Sequence, residues 1–528
     1  MKLIQRLVTY LSLFLVFVSC LWILLIDPSW AYTHKSDVET TSKISLNLDP
    51  AYTHKSNVKI TSKIPPNPDF NGDVNYISDF AWQTFIALNW SAHCDGKPFP
   101  EEGIKIWEKP DPPRVWEFYS YPEQVFLSKG ENPKDEHGKF KHQFSPPQCL
   151  PEINNEKLKS EYLAKYLAEL PKLRLQEGTS KYEGEISILD PKFPLVDRKG
   201  NYIMNEGRIN PIEVNQIIEK GWYDAKNLKD FYSSSNFLLV CSEKKSLNEG
   251  VGRISDYCND QHNNEGAIEV KAAWMVAKDM KEEEKKKYYI TQRGIEVDTE
   301  DGNKVPKIVD VALVGFHILR KTSNAGWIFA TFEHINNAPD NKDIEKQKNT
   351  DENYHLYDPN CKGEICPENN HSTAKKPYLW GLKETDISPK SPDHVTNTIY
   401  AMTKTMGKYE PQIHSQITRE HPLSEEVKEI NKHWTTSQKW GEEKVWPQYY
   451  QLIGVQWLSS PEVVVKTDYD EYLVGNEHLA NVALEPFNQQ NNSCFKCHQN
   501  KAKLPDGKSF ADLSFFMRRA EDSSNNSN

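Results

Sequence analysis

The stretch Val309-Asp310-Val311-Ala312-Leu313-Val314-Gly315-Phe316-His317-Ile318-Leu319-Arg320-Lys321 decides the fold. Its apolar residues run nearly without a break and many are β-branched, the pattern of a strand buried on both faces. Thr322-Ser323-Asn324-Ala325-Gly326 supplies a loop, and Gly326–Ile335 is a second aromatic and β-branched run, so the two should pair as an antiparallel hairpin. If Lys321 pairs with Trp327, His317 faces Thr331 and Glu333 becomes its diagonal neighbour on the same face. His334 then points to the opposite side, with Phe332 and Phe316. A Glu–His pair of this kind can move protons or serve a metal.

Working outward, Ile268–Val276, Tyr288–Thr291 and Tyr449–Leu458 also read as strands. Helical spacing appears in Ser78–Trp90, where Ser78 or Asp79 can cap the start, in Asn155–Leu170 and in Glu425–Trp434. The expected fold class is α+β: a large antiparallel β-sheet body with peripheral helices and a C-terminal helix or loop segment.

The 528 residues suffice for one large domain or two to three ordinary ones, and 38% hydrophobic content with 14 Trp requires a packed body. Net charge is −11 and the basic residues alternate with acids, which disfavours nucleic-acid binding. Residues 1–31 read as a signal peptide: Lys2 and Arg6 precede an apolar run, Leu7 to Ile26, which ends at Ser29-Trp30-Ala31. The alternative is an uncleaved anchor through residues 7–26. Residues 32–70 form a duplicated flexible linker, with Ala-Tyr-Thr-His-Lys-Ser at Ala31–Ser36 and again at Ala51–Ser56. The sheet-rich body spans 71–490, an attachment segment 491–518, and a polar tail, expected to be disordered, 519–528.

Cysteines point to an oxidising compartment, the periplasm or an equivalent exported location. Setting aside Cys20, Cys494 and Cys497 leaves an even set of six. Cys361–Cys366 and Cys241–Cys258 close short loops, which leaves Cys94 for Cys149 among fifteen formal connectivities.

Cys494-Phe495-Lys496-Cys497-His498 carries the chemistry. A spacing of three puts two thiols on one side of a helical turn, where they can add to the two vinyl groups of one haem, and His498 can turn its imidazole to the iron. A zinc site would need a second clustered pair, for which only Cys361 and Cys366 come close. A thioredoxin-like dithiol would sit early in a βαβ unit. The expected cofactor is a single covalent haem c. Because the motif lies near the C-terminus, the sixth iron ligand is open among Met517, which shares a helical face with Leu513 and Phe516 within Ser509–Arg519, His478, His334, and no protein group at all.

Phe80-Ala81-Trp82-Gln83-Thr84-Phe85-Ile86-Ala87-Leu88-Asn89-Trp90, Val270-Lys271-Ala272-Ala273-Trp274, Gly315-Phe316-His317, Phe332-Glu333-His334 and Leu479-Ala480-Asn481 followed by the attachment motif resemble a poorly characterised family of bacterial exported cytochrome c proteins. The resemblance covers the chain from Phe70 onward. It implies haem binding at Cys494, Cys497 and His498, and electron transfer. A weaker architectural similarity is to the β-sheet haem-lysine cytochromes, which implies that the iron can keep an open distal side. The two expected functions are therefore an electron-transfer cytochrome, and a haem redox enzyme or small-gas binder. Their partners would be a redox protein or a small-molecule oxidant or reductant, with membrane contact only if the signal segment stays uncleaved.

Overall fold

The computed structural model describes residues 60–526 apart from several segments, the longest being 102–111, 150–173, 176–193, 242–264, 344–353, 383–398 and 460–472. The signal segment, most of the linker and the expected helix Asn155–Leu170 lie outside the described residues. The protein is α+β. Its main sheet has eight strands: β1 (Arg174–Leu175), β2 (Met204–Ile209), β3 (Ile268–Val276), β4 (Ile290–Asp298), β5 (Lys304–Thr322), β6 (Gly326–His334), β10 (Tyr450–Leu458) and β11 (Leu473–Gly475). They lie in the order β1-β2-β3-β5-β6-β10-β11, every pair antiparallel, with β4 also paired to β5. A small second sheet joins β7 (Leu379–Leu382), β8 (Ile399–Thr405) and β9 (Lys408–Pro411). Among the described residues, the helices of eight residues or more are α1 (Val74–Leu88), α2 (Pro211–Glu219), α3 (Glu425–Thr436) and α4 (Cys494–Lys501). Among the described residues no helix is long and apolar enough to cross a membrane.

The hairpin has the expected register, Lys321 opposite Trp327 and His317 opposite Thr331. Both faces of β5 are covered. On one, Phe316 and Ile318 join Val270, Trp274 and Phe332 beneath Trp82 and Phe85 of α1 and Val427, Ile430 and Trp434 of α3. The two helices are tied by hydrogen bonds from Trp82 Nε1 to Asn431 Oδ1 at 3.0 Å and from Trp434 Nε1 to Asp79 Oδ1 at 2.9 Å. Helix α1 begins earlier than the capping pattern predicts, because Asp73 accepts the Asn75 N–H and Asp79 is already engaged by Trp434.

Strand β2 lacks the apolar alternation that would announce it. After Met204, its inward positions are the charged Glu206 and Arg208, which are satisfied by ion pairs. Arg293 Nη2 lies 2.7 Å from Glu117 Oε1 and 2.9 Å from Glu206 Oε1, and Arg208 Nη2 lies 3.1 Å from Glu206 Oε2, all buried. Burial alone would raise the Glu206 carboxyl, but Arg293 and Arg208 hold it at about 2.

Cys94–Cys149 and Cys361–Cys366 are disulfides, with Cα atoms 5.4 and 5.9 Å apart. Cys241 is also disulfide-bonded, while Cys258 lies outside the described residues. Two expectations about the C-terminus are corrected. Ser509–Arg519 is no continuous helix, since Asp512 and Leu513 adopt positive φ and only Phe516–Arg519 forms a 3-10 turn. The polar tail is anchored as far as Ser523: Asp522 pairs with Lys229 at 2.7 Å, and Ser523 Oγ donates to Asp224 Oδ2 at 2.6 Å.

Replacing Arg293 with Met leaves Glu117 and Glu206 buried without their shared cation, so urea unfolding at pH 7 should show a loss on the order of 3–5 kcal/mol. Because Glu206 is held below its ordinary 4.5, its stabilising contribution disappears as pH falls toward 2, and the deficit of the variant should shrink over the same range.

Candidate functional site

The second face of the main sheet packs against several segments, among them α2, Asn481–Glu485 and the segment from Ser493 onward, and its side chains fall into rows across the strands. The row Ile209, Glu269, Leu319, Phe329 and Gln456 lies under the attachment segment. Gln456 Oε1 accepts from the Cys494 N–H at 2.8 Å, and its Nε2 donates to the Asn476 carbonyl at 2.6 Å. Phe329 meets the Phe495 ring at 4.6 Å and the His498 ring edge-on at 4.7 Å.

Two rows further on, Asn205, Ala273, Gly315 and Glu333 lie under Asn481–Glu485. A Cβ at Gly315 would sit 3.1 Å from Asn481 and 3.3 Å from Ala483, so the glycine permits this close approach. The row between them is Gly207, Lys271, His317, Thr331 and Gly454, roughly 7 Å along the strands from the Phe329 row. Lys271 is the sole residue of β3 that is not buried, and His317 is the sole one of β5 between Val311 and Thr322. These two side chains stand between the two segments, and Cys494 is likewise only partly buried.

Ser493 caps α4, accepting from the Lys496 N–H. Cys494 and Cys497 are free thiols, one turn apart. Burial, together with the Glu485 charge, pushes Cys494 well above the ordinary thiol range and Cys497 to about 12. Both are thus protonated, unlike the lowered thiol of a dithiol oxidoreductase. Burial presses His498 down to about 3, so its ring is neutral. Its Nδ1 lies 2.6 Å from the Leu513 carbonyl oxygen, which can only accept; Nδ1 therefore carries the proton, and Nε2 presents a bare lone pair. Phe515 closes on the ring edge-on at 4.4 Å.

The Leu513 carbonyl is aimed by an unusual turn. Asp512 and Leu513 take successive positive φ values of 49° and 67°, a conformation disfavoured for side chains of this kind. It is held from outside: Asp512 pairs with Lys321 of β5 and accepts the Leu239 N–H at 2.7 Å.

His317 pairs with Glu485, Nε2 to Oε2 at 3.2 Å, and not with Glu333 as its diagonal position suggests. Glu333 is taken by Arg419 and by the Val482 N–H at 3.2 Å. Burial raises the Glu485 carboxyl, but His317 and Lys271 outweigh it and leave it below the ordinary value.

The three residues considered as distal ligands lie in separate surroundings. His334 is fully buried; Nδ1 accepts from the Asn336 N–H at 3.1 Å and Nε2 lies 3.1 Å from the Lys287 carbonyl, so both nitrogens are spent on backbone. His478 stacks on His421 at 4.2 Å in a cleft of about 240 Å³ lined by Arg419, Ile453 and Glu477. Met517 is fully buried in the apolar cluster of Phe495, Leu504 and Leu513. Elsewhere Cys361, Cys366 and His414 bring donor atoms within 4.8 Å of one another, but the disulfide removes both thiolates. No family model, curated protein or solved structure matches the chain.

Beneath the Leu513 turn, Glu213 of α2 and Glu269 of β3 are buried against each other. Burial raises Glu269 to about 7, and burial plus the charge of Glu269 raises Glu213 well above its ordinary range. The folded protein keeps both protons, which the unfolded chain releases above 4.5, so the pair costs stability as pH rises from 4.5 to 7. The double variant Glu213→Gln/Glu269→Gln should lose that decline, gaining about 3 kcal/mol or more on the wild type across the window in denaturant titrations.

Proposed function

We propose that the chain is an exported c-type cytochrome carrying one haem, bound covalently by Cys494 and Cys497 with His498 as the proximal iron ligand. The observation that carries this reading is the His498 ring, whose Nδ1 is committed to the Leu513 carbonyl so that Nε2 alone can coordinate. The thiols support it: they are free in a chain whose other described cysteines are disulfide-bonded, and too weakly acidic for thiol redox chemistry. Phe329 and Phe515 flank the imidazole, and Cys494 is partly exposed, which leaves its sulfur reachable for an attached group.

When bound, a haem there supplies a one-electron Fe(III)/Fe(II) couple, and electron transfer with a protein partner or a small oxidant or reductant is the function proposed. The disulfides favour the periplasm or another oxidising compartment. A second reading, a haem enzyme or small-ligand binder with an open distal face, is favoured by one observation. His334 has no nitrogen left for iron, and His478 and Met517 are held in the cleft and the apolar cluster.

Expressed with a haem-ligation system, the full chain should retain haem on a denaturing gel, and Cys494→Ala or Cys497→Ala should weaken or abolish the stain. Unchanged staining in both would refute the attachment. Met517→Leu should leave the ferric absorption spectrum as it is; a shifted spectrum would identify Met517 as an axial ligand.

A further inference from the structure

His498 is oriented by a backbone atom, and that stretch of backbone is itself held by side chains from elsewhere. Its Nδ1 proton goes to the Leu513 carbonyl at 2.6 Å, and the Ser514 N–H closes on the Ala511 carbonyl at 3.0 Å. Asp512 and Leu513 are therefore the two central residues of a turn whose φ values are both positive, 49° and 67°, as in the mirror-image type I′ turn. Asn and Gly ordinarily fill those positions. An aspartate tolerates left-handed backbone, but a leucine does not adopt it readily. An ordinary type I turn would close the same hydrogen bond with both φ values negative and would carry the Leu513 carbonyl in a different direction.

What opposes that relaxation lies outside the turn. Asp512 Oδ2 accepts from Lys321 Nζ of β5 and from the Leu239 N–H at 2.7 Å, while Ser514 is hydrogen-bonded to Glu269 of β3. Lys321 and Asp512 are both buried, so neither can exchange its partner for water without opening the structure. Glu269 pairs with Leu319 across β3 and β5, two residues before Lys321, so the register of the sheet fixes where both anchors stand.

We propose that the Lys321–Asp512 ion pair is a positioning element for the proximal ligand: by holding Asp512 and Leu513 in the mirror-image turn it keeps the Leu513 carbonyl on His498 Nδ1, which fixes the ring tautomer and holds down the reduction potential of the attached haem. The inference rests on the covalent-haem reading and deepens it by naming what regulates the iron couple. An Nδ1–H that donates to a fixed acceptor makes Nε2 the stronger electron donor and favours Fe(III) over Fe(II). If the acceptor swings away, a buried N–H is left unpaired on a weaker ligand. In reduction, the electron comes from a one-electron donor outside the chain and ends on iron, and the imidazole keeps its proton in both states.

Two readouts on the full chain test this. In protein expressed without haem ligation and labelled with nitrogen-15 histidine, magnetic resonance should report the His498 proton on Nδ1. In the charge-neutral double variant Lys321→Met/Asp512→Asn, a measurable share should move to Nε2. In the haem-loaded protein, redox titration of that variant should favour the reduced form by about tenfold at a given poise, about 59 mV upward for a one-electron couple. Lys321→Arg keeps the ion pair and should stay within about twofold of wild type. Lys321→Met alone removes a cation, which by charge alone would lower the potential, so a rise there marks positioning and serves where the double variant does not fold. A fall in Lys321→Met would overturn the inference. So would a folded double variant with the wild-type tautomer and potential, or a wild-type chain with the proton on Nε2. If no haem is retained on a denaturing gel, the attachment reading fails by itself, and the tautomer measurement still decides whether the ion pair positions His498.

Discussion

Every feature of the candidate site depends on one constraint: the central sheet has to be covered on both faces. Strand β5 bonds to β3, β4 and β6, and its near-unbroken apolar run leaves no face that water can occupy without cost. One face is sealed by two helices whose indole N–H groups lock them together. On the other, two irregular segments, Asn481–Glu485 and the one that opens with Ser493, meet the sheet on different rows, beside α2. Two separate covers leave a seam. Lys271 and His317, polar and only partly buried, stand between them.

Much of this layout is legible in the residues. The hairpin of β5 and β6 follows from continuous apolar runs and a polar loop, and its register follows from the loop length. Strand β2 was not legible, because Glu206 and Arg208 occupy positions that periodicity expects to be apolar and are stabilised by partners distant in the chain. The turn at Asp512 and Leu513 was hidden for a related reason. Leu513, Phe516 and Met517 have helical spacing, yet Lys321 and the Leu239 N–H hold Asp512 in a backbone conformation that local propensity opposes.

At the site, the pentapeptide could be read directly, since its chemistry is contained in five consecutive residues. Its surroundings could not. The acceptor for His498 is a backbone carbonyl, which carries no sequence signature, and Glu485 reaches His317 from far along the chain. One signal was available: in Val311–Leu319, His317 is the lone polar residue on an otherwise apolar strand. Its expected partner, Glu333, was correctly placed by register, but Arg419 neutralises it first.

The Lys321–Asp512 ion pair reaches beyond the turn it secures. Lys321 and His317 are four residues apart on β5, so they project from the same face of one strand that is hydrogen-bonded along both edges. One end of this short span sets the carbonyl that steers His498, and the other carries the imidazole across the seam. The strand thus acts as a rigid spacer between the two walls. A change of charge inside the seam would meet walls that cannot separate or close independently, which keeps the nuclear rearrangement accompanying that change small.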